Sequence, residues 1–392
     1  MTVIKDTGER ALLPPFAAEH QLLRESIGSF VAKEIAPHVD DWEDAREFPR
    51  ELFERCGELG FLGLKYPEEL GGQGGDYIHD AVWTEELARR GASGGVAAGL
   101  GAHTGIATPP IFKFGTPDQH LRFLVPAIRG EKICALGITE PGAGSDVASI
   151  RTKAEKTNGG YVVNGSKTFI TNGVRADIMV TAVKTTEEGG HQGISFLVLE
   201  REMPGYEVVS KLEKMGWHSS DTGELSFTDV EVPAENLLGE ENGGFYLIMA
   251  NFQWERLLMA LGAVGAMERL LEVAIDYATE REAFGRPIGR FQAIRHKIAE
   301  ISVKAEVGKA MTYNALRLFH GGHDAVREVT QAKLFSQRSL VEVADEVIQI
   351  HGGYGYMKEY GVERAYRDAR LGPIGGGTDE IMKEILGKQL GL

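Results

Sequence analysis

Four short segments and one isolated carboxylate carry residue types that can do chemistry. Glu255 shares a helical face with Ile248, Phe252, Met259, Gly262 and Ala266, which recur at three- and four-residue steps. A carboxylate inside an apolar stripe is desolvated. Desolvation favours the neutral form and moves the pKa toward that of a working base. Gly262 and Ala266 are small, so this face has room to border a cavity; the alternative is a partly exposed Glu paired with Arg256 or a neighbouring helix. Thr139-Glu-Pro-Gly-Ala-Gly-Ser-Asp146 places hydroxyls and bare amides after the apolar run 133–138. Such a loop can hold a phosphate or a ring edge, or be an ordinary polar turn. It is not a dinucleotide fingerprint, because Val147 replaces the third glycine and hairpin signals follow. In Arg281-Glu-Ala-Phe-Gly-Arg-Pro287, Gly and Pro break a helix, leaving Arg281 and Arg286 to meet a phosphate or to lie in a solvated loop. Gln349-Ile-His-Gly-Gly353-Tyr-Gly allows close backbone approach to a ligand, or only a helix C-cap. Gly372-Pro-Ile-Gly-Gly-Gly-Thr378-Asp-Glu380 ends in a plausible N-cap, whose free N–H groups suit an anion, a carbonyl oxygen or nothing beyond the cap.

The elements that must position these groups fall into three blocks. Residues 15–133 read as helical, with His20, Leu23, Ile27, Phe30, Val31 and Ile35 at helical spacing and a glycine-rich loop over 70–76. Thr116-Pro-Asp-Gln119 reads as a helix start with a capping box. From 134 to 242 the period changes. Asn158-Gly159, Asn164-Gly165 and Asn172-Gly173 flank short β-branched runs and predict three hairpin turns. Strands are expected over 178–183, 194–199 and 225–232. From 243 onward the pattern returns to long helices over 245–280, 293–318 and 325–351, with a last one after Thr378, which implies a bundle. The expected fold is therefore α+β and multidomain: an N-terminal α-helical domain (1–133), a central antiparallel β domain (134–242) and a C-terminal helical bundle (243–392).

Composition sets outer limits. The 392 residues are 43% hydrophobic and 25% charged, ordinary for a globular protein able to bury a core. The net charge of −15 lacks the basic footprint of a nucleic-acid binder. Two cysteines, Cys56 and Cys134, cannot build a disulfide framework or a Cys-based zinc site. The uncharged stretch 91–112 is long enough to span a membrane, but its glycines, Pro109, Pro110 and His103 make it too polar for lipid. Met1 to Arg10 lacks the apolar region of a signal peptide. These features point to no membrane span and a cytoplasmic location.

Taken together, Gly137-Ile-Thr-Glu-Pro-Gly-Ala-Gly-Ser-Asp146, Arg281 to Pro287, and Gln349-Ile-His-Gly-Gly-Tyr-Gly-Tyr356 with Glu359, Arg364 and Asp368 resemble the acyl-CoA dehydrogenase family over nearly the whole chain. The resemblance implies FAD, a homotetramer, and removal of an α-proton by a Glu while the β-hydrogen passes to the flavin. Many members carry the base just before the Gly-Thr of the last helix. Here that position is Gly376, which cannot take a proton, whereas the long-chain and isovaleryl-type branch carries the base at the position of Glu255. By the same resemblance Thr139, Ser145, Phe169, Thr171, Thr378 and Glu380 contact FAD from one subunit. Arg281, Phe284, Gln292, Gln349 and Gly353 reach it from the neighbouring subunit. Ser145, Tyr246, Arg256, Gly376 and Gly377 line the acyl-CoA path, with the Gly376 N–H facing the thioester oxygen. The glycines at 94, 95, 99, 101 and 375–377 suggest a roomy pocket for long or branched acyl chains. Electrons are expected to pass to an electron-transferring flavoprotein. The rival readings are an oxidase using oxygen and a non-catalytic flavin- or acyl-CoA-binding subunit.

Overall fold

A computed structural model of the chain describes residues 15–186 and 190–392; the signal-peptide expectation for Met1 to Arg10 lies outside them. The described chain packs as two compact units. One takes residues 41–76 and 95–255, the other 15–40, 77–94 and 256–392.

The first unit is built on an eight-stranded sheet: β1 (Cys134–Gly137), β2 (Lys153–Lys156), β3 (Gly160–Thr171), β4 (Ile178–Lys184), β5 (Ile194–Glu200), β6 (Tyr206–Lys211), β7 (Thr222–Pro233) and β8 (Leu237–Leu238). The order is β6-β7-β3-β2-β4-β5-β8, with β1 also beside β4. The sheet is mainly antiparallel, as expected, but β1 joins β4 in parallel register, Cys134 opposite Ile178. β4 and β5 are buried on both faces and read as unbroken apolar runs, while β6 alternates and keeps one face wet. One face of the β4–β5 pair, through Ile178, Val180, Phe196 and Val198, packs on helical residues Ala107, Ile111 and Phe123; the other, through Met179, Leu197 and Leu199, joins Leu225 and Phe227.

Only one of the three Asn-Gly signals makes the expected hairpin. Asn158-Gly159 turns β2 into β3, and Lys156 pairs with Tyr161 across it. Asn164-Gly165 lies inside β3 at a break in register against β7, where a Cβ on Gly165 would sit 2.6 Å from the Thr152 Cα. This pair is a bulge, selected by close backbone approach. Asn172-Gly173 ends β3, but β3 and β4 are not neighbours. Asn172 is buried in the left-handed region, and its amide donates to the Gly99 carbonyl at 2.8 Å, so it is a packing residue.

The 91–112 stretch folds as the helix Gly94–Gly101, a wider turn over Ala102–Ala107 and the helix Thr108–Phe114. Among the described residues no helix is long and apolar enough to cross a membrane. Its glycines serve packing more than space. A Cβ on Gly95 would meet the Ser219 Oγ at 2.3 Å and one on Gly99 the Phe48 ring at 2.6 Å, whereas Gly91 and Gly101 face open space. Thr116 caps the short helix Pro117–Gln119 with the expected reciprocal box.

His103 sits fully buried in this stretch. Its Nδ1 accepts the Cys134 N–H (2.9 Å) and its Nε2 lies 3.0 Å from the Ala127 carbonyl, the pattern of a neutral ring protonated at Nε2. Burial pushes its pKa down to about 4. Between that value and the ordinary 6.5 of the unfolded chain, the unfolded state binds the extra proton, so stability is full above pH 6.5 and falls as pH drops toward 4. The site contributes about 3 kcal/mol to that loss. We expect the unfolding midpoint of His103→Gln to fall less than the parent's between pH 7 and pH 4.5; parallel declines would contradict the assignment.

The second unit is helical. The helix Gly244–Glu280, whose residues from Arg256 on belong here, is followed by Gln292–His320, Val326–His351 and Asp379–Gln389, as the periodicity predicts. Their core gathers Val264, Met267, Ala305, Val343 and Val347. Ala18–Phe30 and Tyr77–Arg89 also belong to this unit, tied by Arg24 bonded to the buried carboxylates of Glu85 (2.6 Å) and Glu86 (2.7 Å).

Candidate functional site

In the sheet unit the 139–146 loop is held from below. Glu140 and Ala143 bridge each other's backbones, and the Thr139 carbonyl accepts from Thr168 of β3 at 2.9 Å. The anchor is Lys167, a lysine with no exposed surface. Its ammonium donates to the Ile138 carbonyl (3.0 Å) and to the Glu140 carboxylate (2.8 Å), which also accepts the N–H groups of Arg151 and Thr152. Burial pushes the Lys167 pKa down to about 8, against the opposing pull of Glu140. Burial acts to raise the Glu140 carboxyl, yet the ammonium and its hydrogen bonds hold it below the ordinary range.

With the loop fixed, Ser145 is exposed and Thr139 half-buried, while Cβ atoms built on Gly142 and Gly144 would meet nothing within 4 Å. Two residues after Lys167, β3 breaks register again, and Phe169 adopts a left-handed φ of 59° with 69% of its surface exposed. A bulky residue in that region is strained, and a strained bulge that turns an aromatic ring outward is a ligand-site signal. Thr171, at the end of β3, is half-buried; Tyr246 is exposed on the first turn of the long helix, and Glu255 is half-buried further along it. The expected stripe around Glu255 is left partly open: Phe252 and Glu255 are half-buried in this unit, while Trp254 beside them is buried.

In the helical unit, Arg281 and Gly353 meet on an open groove of about 450 Å³, lined also by Tyr277, His351, Gly352 and Tyr354. The guanidinium lies 5.4 Å from the Tyr354 ring centre. Gln349 and Gln292 are exposed at the end of one helix and the start of another. The 281–287 break is a small hairpin, Glu282–Ala283 against Arg286–Pro287, turned by Phe284 (φ 52°) and Gly285 (φ 75°). Two positive φ values make a tight turn that ordinarily takes Asn-Gly; Phe284 instead stands 95% exposed.

The 372–378 turn belongs to the same unit. Gly376 and Gly377 both have positive φ, 61° and 93°. The Gly376 carbonyl accepts from Arg256 Nε (3.2 Å) and the Gly377 carbonyl from Lys333 Nζ (2.6 Å). Thr378 caps the last helix, accepting the Ile381 N–H, and Glu380 is exposed in its first turn. The Glu380 backbone N–H and the Thr378 hydroxyl hold its carboxyl below the ordinary range.

The sequence reading missed Lys167, the side chain of Glu140, and Lys333. The two lysines had a signal: one lies on the inward face of a strand, the other within the buried stripe Val329, Ala332, Ser336, Leu340 and Val343. In the sheet unit, an exposed aromatic ring on strained backbone, bare loop amides and hydroxyls suit a flat ring or a phosphate; in the helical unit, an exposed ring and an arginine in an aromatic groove suit the same chemistry.

Comparison with known proteins agrees with this chemistry. The profile of the acyl-CoA dehydrogenase N-terminal domain matches residues 17–131, that of the middle domain 135–230 and that of the C-terminal domain 242–391. The chain is 40% identical to the mitochondrial long-chain specific acyl-CoA dehydrogenase of Mus musculus, over 99% of this chain and 89% of that protein. It is 39% identical to the mitochondrial isovaleryl-CoA dehydrogenase of Oryza sativa subsp. japonica, over 96% and 92%. The crystal structure of acyl-CoA dehydrogenase from Geobacillus kaustophilus superposes with a TM-score of 0.94 at 42% identity, over 97% of this chain and 100% of that one.

Proposed function

Because the chain belongs to the acyl-CoA dehydrogenase family, and so is an FAD enzyme that dehydrogenates acyl-CoA thioesters, we propose that Glu255 is its base and that its substrates carry long or branched acyl chains. The observation that carries the first point is the pair of positions 255 and 376: a half-buried carboxylate on a partly apolar stripe at one, a glycine at the other. The α-C–H beside a thioester is a weak acid. Glu255 takes that proton as negative charge grows on the thioester oxygen, and the Gly376 N–H donates to that oxygen. FAD, when bound, supplies the acceptor for the β-hydrogen and its electron pair. Loss of both hydrogens leaves the trans-2-enoyl-CoA.

Thr139, Ser145, Phe169 and Thr171 hold the flavin with Thr378 and Glu380, while Arg281, Phe284, Gln292, Gln349 and Gly353 reach the flavin of a second copy. The exposure of Phe284 and the open groove beside Arg281 support that sharing, and with it a homotetramer. Tyr246, Arg256 and Gly377 attend the acyl-CoA path. The domains divide at 133/134 and 242/243, the electrons pass to an electron-transferring flavoprotein, and the enzyme serves cytoplasmic fatty-acid β-oxidation. The similarity to long-chain and isovaleryl enzymes and the bare Gly375–Gly377 turn support the substrate class.

The test is anaerobic mixing of the holoenzyme with a panel of acyl-CoAs while the flavin absorbance is followed. Long or branched thioesters are expected to bleach it at least about tenfold faster per mole than butyryl-CoA. Bleaching by butyryl-CoA alone would overturn the substrate class, and rapid peroxide release in air would make the enzyme an oxidase.

A further inference from the structure

Lys333 has no role in the reaction proposed above, yet it is wholly buried on the helix Val326–His351. Placing an ammonium in a helix core is costly unless a strong hydrogen bond offsets it. Here the bond goes to the Gly377 carbonyl at 2.6 Å, and the adjacent Gly376 carbonyl is held by Arg256. Residues 375–377 are three glycines, the residue with the least intrinsic backbone preference. Nothing in their own side chains can fix where their amides point. In a trans peptide the C=O and the following N–H point in opposite directions. Two cations on successive carbonyls therefore lock two successive peptide planes and turn the N–H groups of Gly377 and Thr378 away from the helix core. Arg256 thereby sets the plane that leaves Gly376, and the Gly375 N–H bonded to the Leu371 carbonyl holds the peptide that enters Gly375, at the start of the turn. The N–H groups of Gly376 and Gly377 take no partner among the described residues.

We infer that Lys333 is a positioning residue for the reaction: it fixes the glycine turn so that its backbone amides stay aimed at the thioester oxygen. The inference rests on the proposed reaction. In enzymes with a side-chain base at position 376 that side chain can itself restrain the turn; with Gly376 here, the carbonyl anchors carry the task.

The test compares two ligands of equal chain length on the oxidised holoenzyme: a 2-enoyl-CoA, which has the thioester oxygen, and an S-alkyl-CoA thioether, which lacks it. In Lys333→Met the enoyl-CoA is expected to bind about tenfold to a hundredfold more weakly, while the thioether affinity stays within about twofold. Turnover falls about a hundredfold, more in kcat than in KM, and Lys333→Arg restores most of it. Equal weakening of both ligands, or of neither, overturns the inference. If Lys333→Met yields no folded holoenzyme, Lys333→Gln, which keeps a shorter donor, is read with the same two ligands and the same outcomes. Bleaching of the parent enzyme by acyl-CoA, measured alongside, tests the underlying reaction separately.

Discussion

Glu255→Gln is expected to retain its flavin, bind acyl-CoA within about twofold of the parent and bleach about 10²–10⁴-fold more slowly. Glutamine keeps the size, shape and hydrogen-bonding reach of the side chain and removes only its basicity. The position is well supported for such a clean deletion. Its neighbours Trp254, Leu257 and Leu258 are buried, so they fix the helix while residue 255 stands half-open on the adjacent stripe. Glu255→Asp keeps a carboxylate but withdraws it by one methylene, and its rate should fall between the two. Stopped-flow bleaching under anaerobic conditions gives the rate, and calorimetry with the enoyl-CoA product gives the affinity. Bleaching within tenfold of the parent would assign the proton to another group, and Gly376 cannot be that group.

The long helices were legible because a 3.6-residue apolar period survives over many turns: 245–280 is observed as Gly244–Glu280 and 325–351 as Val326–His351. The β strands were legible too, through β-branched runs. The turns were not. Asn-Gly reports only that the backbone can take positive φ, and at Asn164-Gly165 that freedom serves a bulge against Thr152 instead of a reversal. Likewise, glycine in sequence does not say whether it opens space or closes it. Gly95 and Gly99 close it, against Ser219 and Phe48, so the notion that they floor a roomy pocket fails for those two. The parallel pairing of β1 with β4 spans some forty residues of chain, and local pattern carries no information about a partner so remote. Within the site, the residues expected to touch ligand come from recognisable segments, whereas Lys167 and Lys333 act on other residues' carbonyls. A buried lysine that serves the backbone leaves no motif, only a charge in an apolar run.

Lys167→Met, unlike the base variant, is expected to lose most of its flavin. Lys167 ties β3 to the 138–140 segment through two bonds, and the carboxylate it neutralises is itself buried. Methionine fills most of the volume but leaves Glu140 with backbone donors only. Breaking one side of a buried ion pair costs about 3–5 kcal/mol. Part of that is relieved if Glu140 takes up a proton, and the loop that carries Thr139 and Ser145 then loses its anchor. The expected result is a lower unfolding midpoint together with a flavin-to-protein ratio well below that of the parent after gel filtration. Adding Glu140→Gln to Lys167→Met removes the stranded charge and should recover part of the stability, because the two sites are coupled. If the pair served stability alone, the double variant would recover flavin as fully as it recovers its midpoint. If the pair positions the loop, flavin retention stays low after the midpoint has risen, since methionine at 167 has no ammonium to draw the Ile138 carbonyl and the residue-140 side chain onto β3.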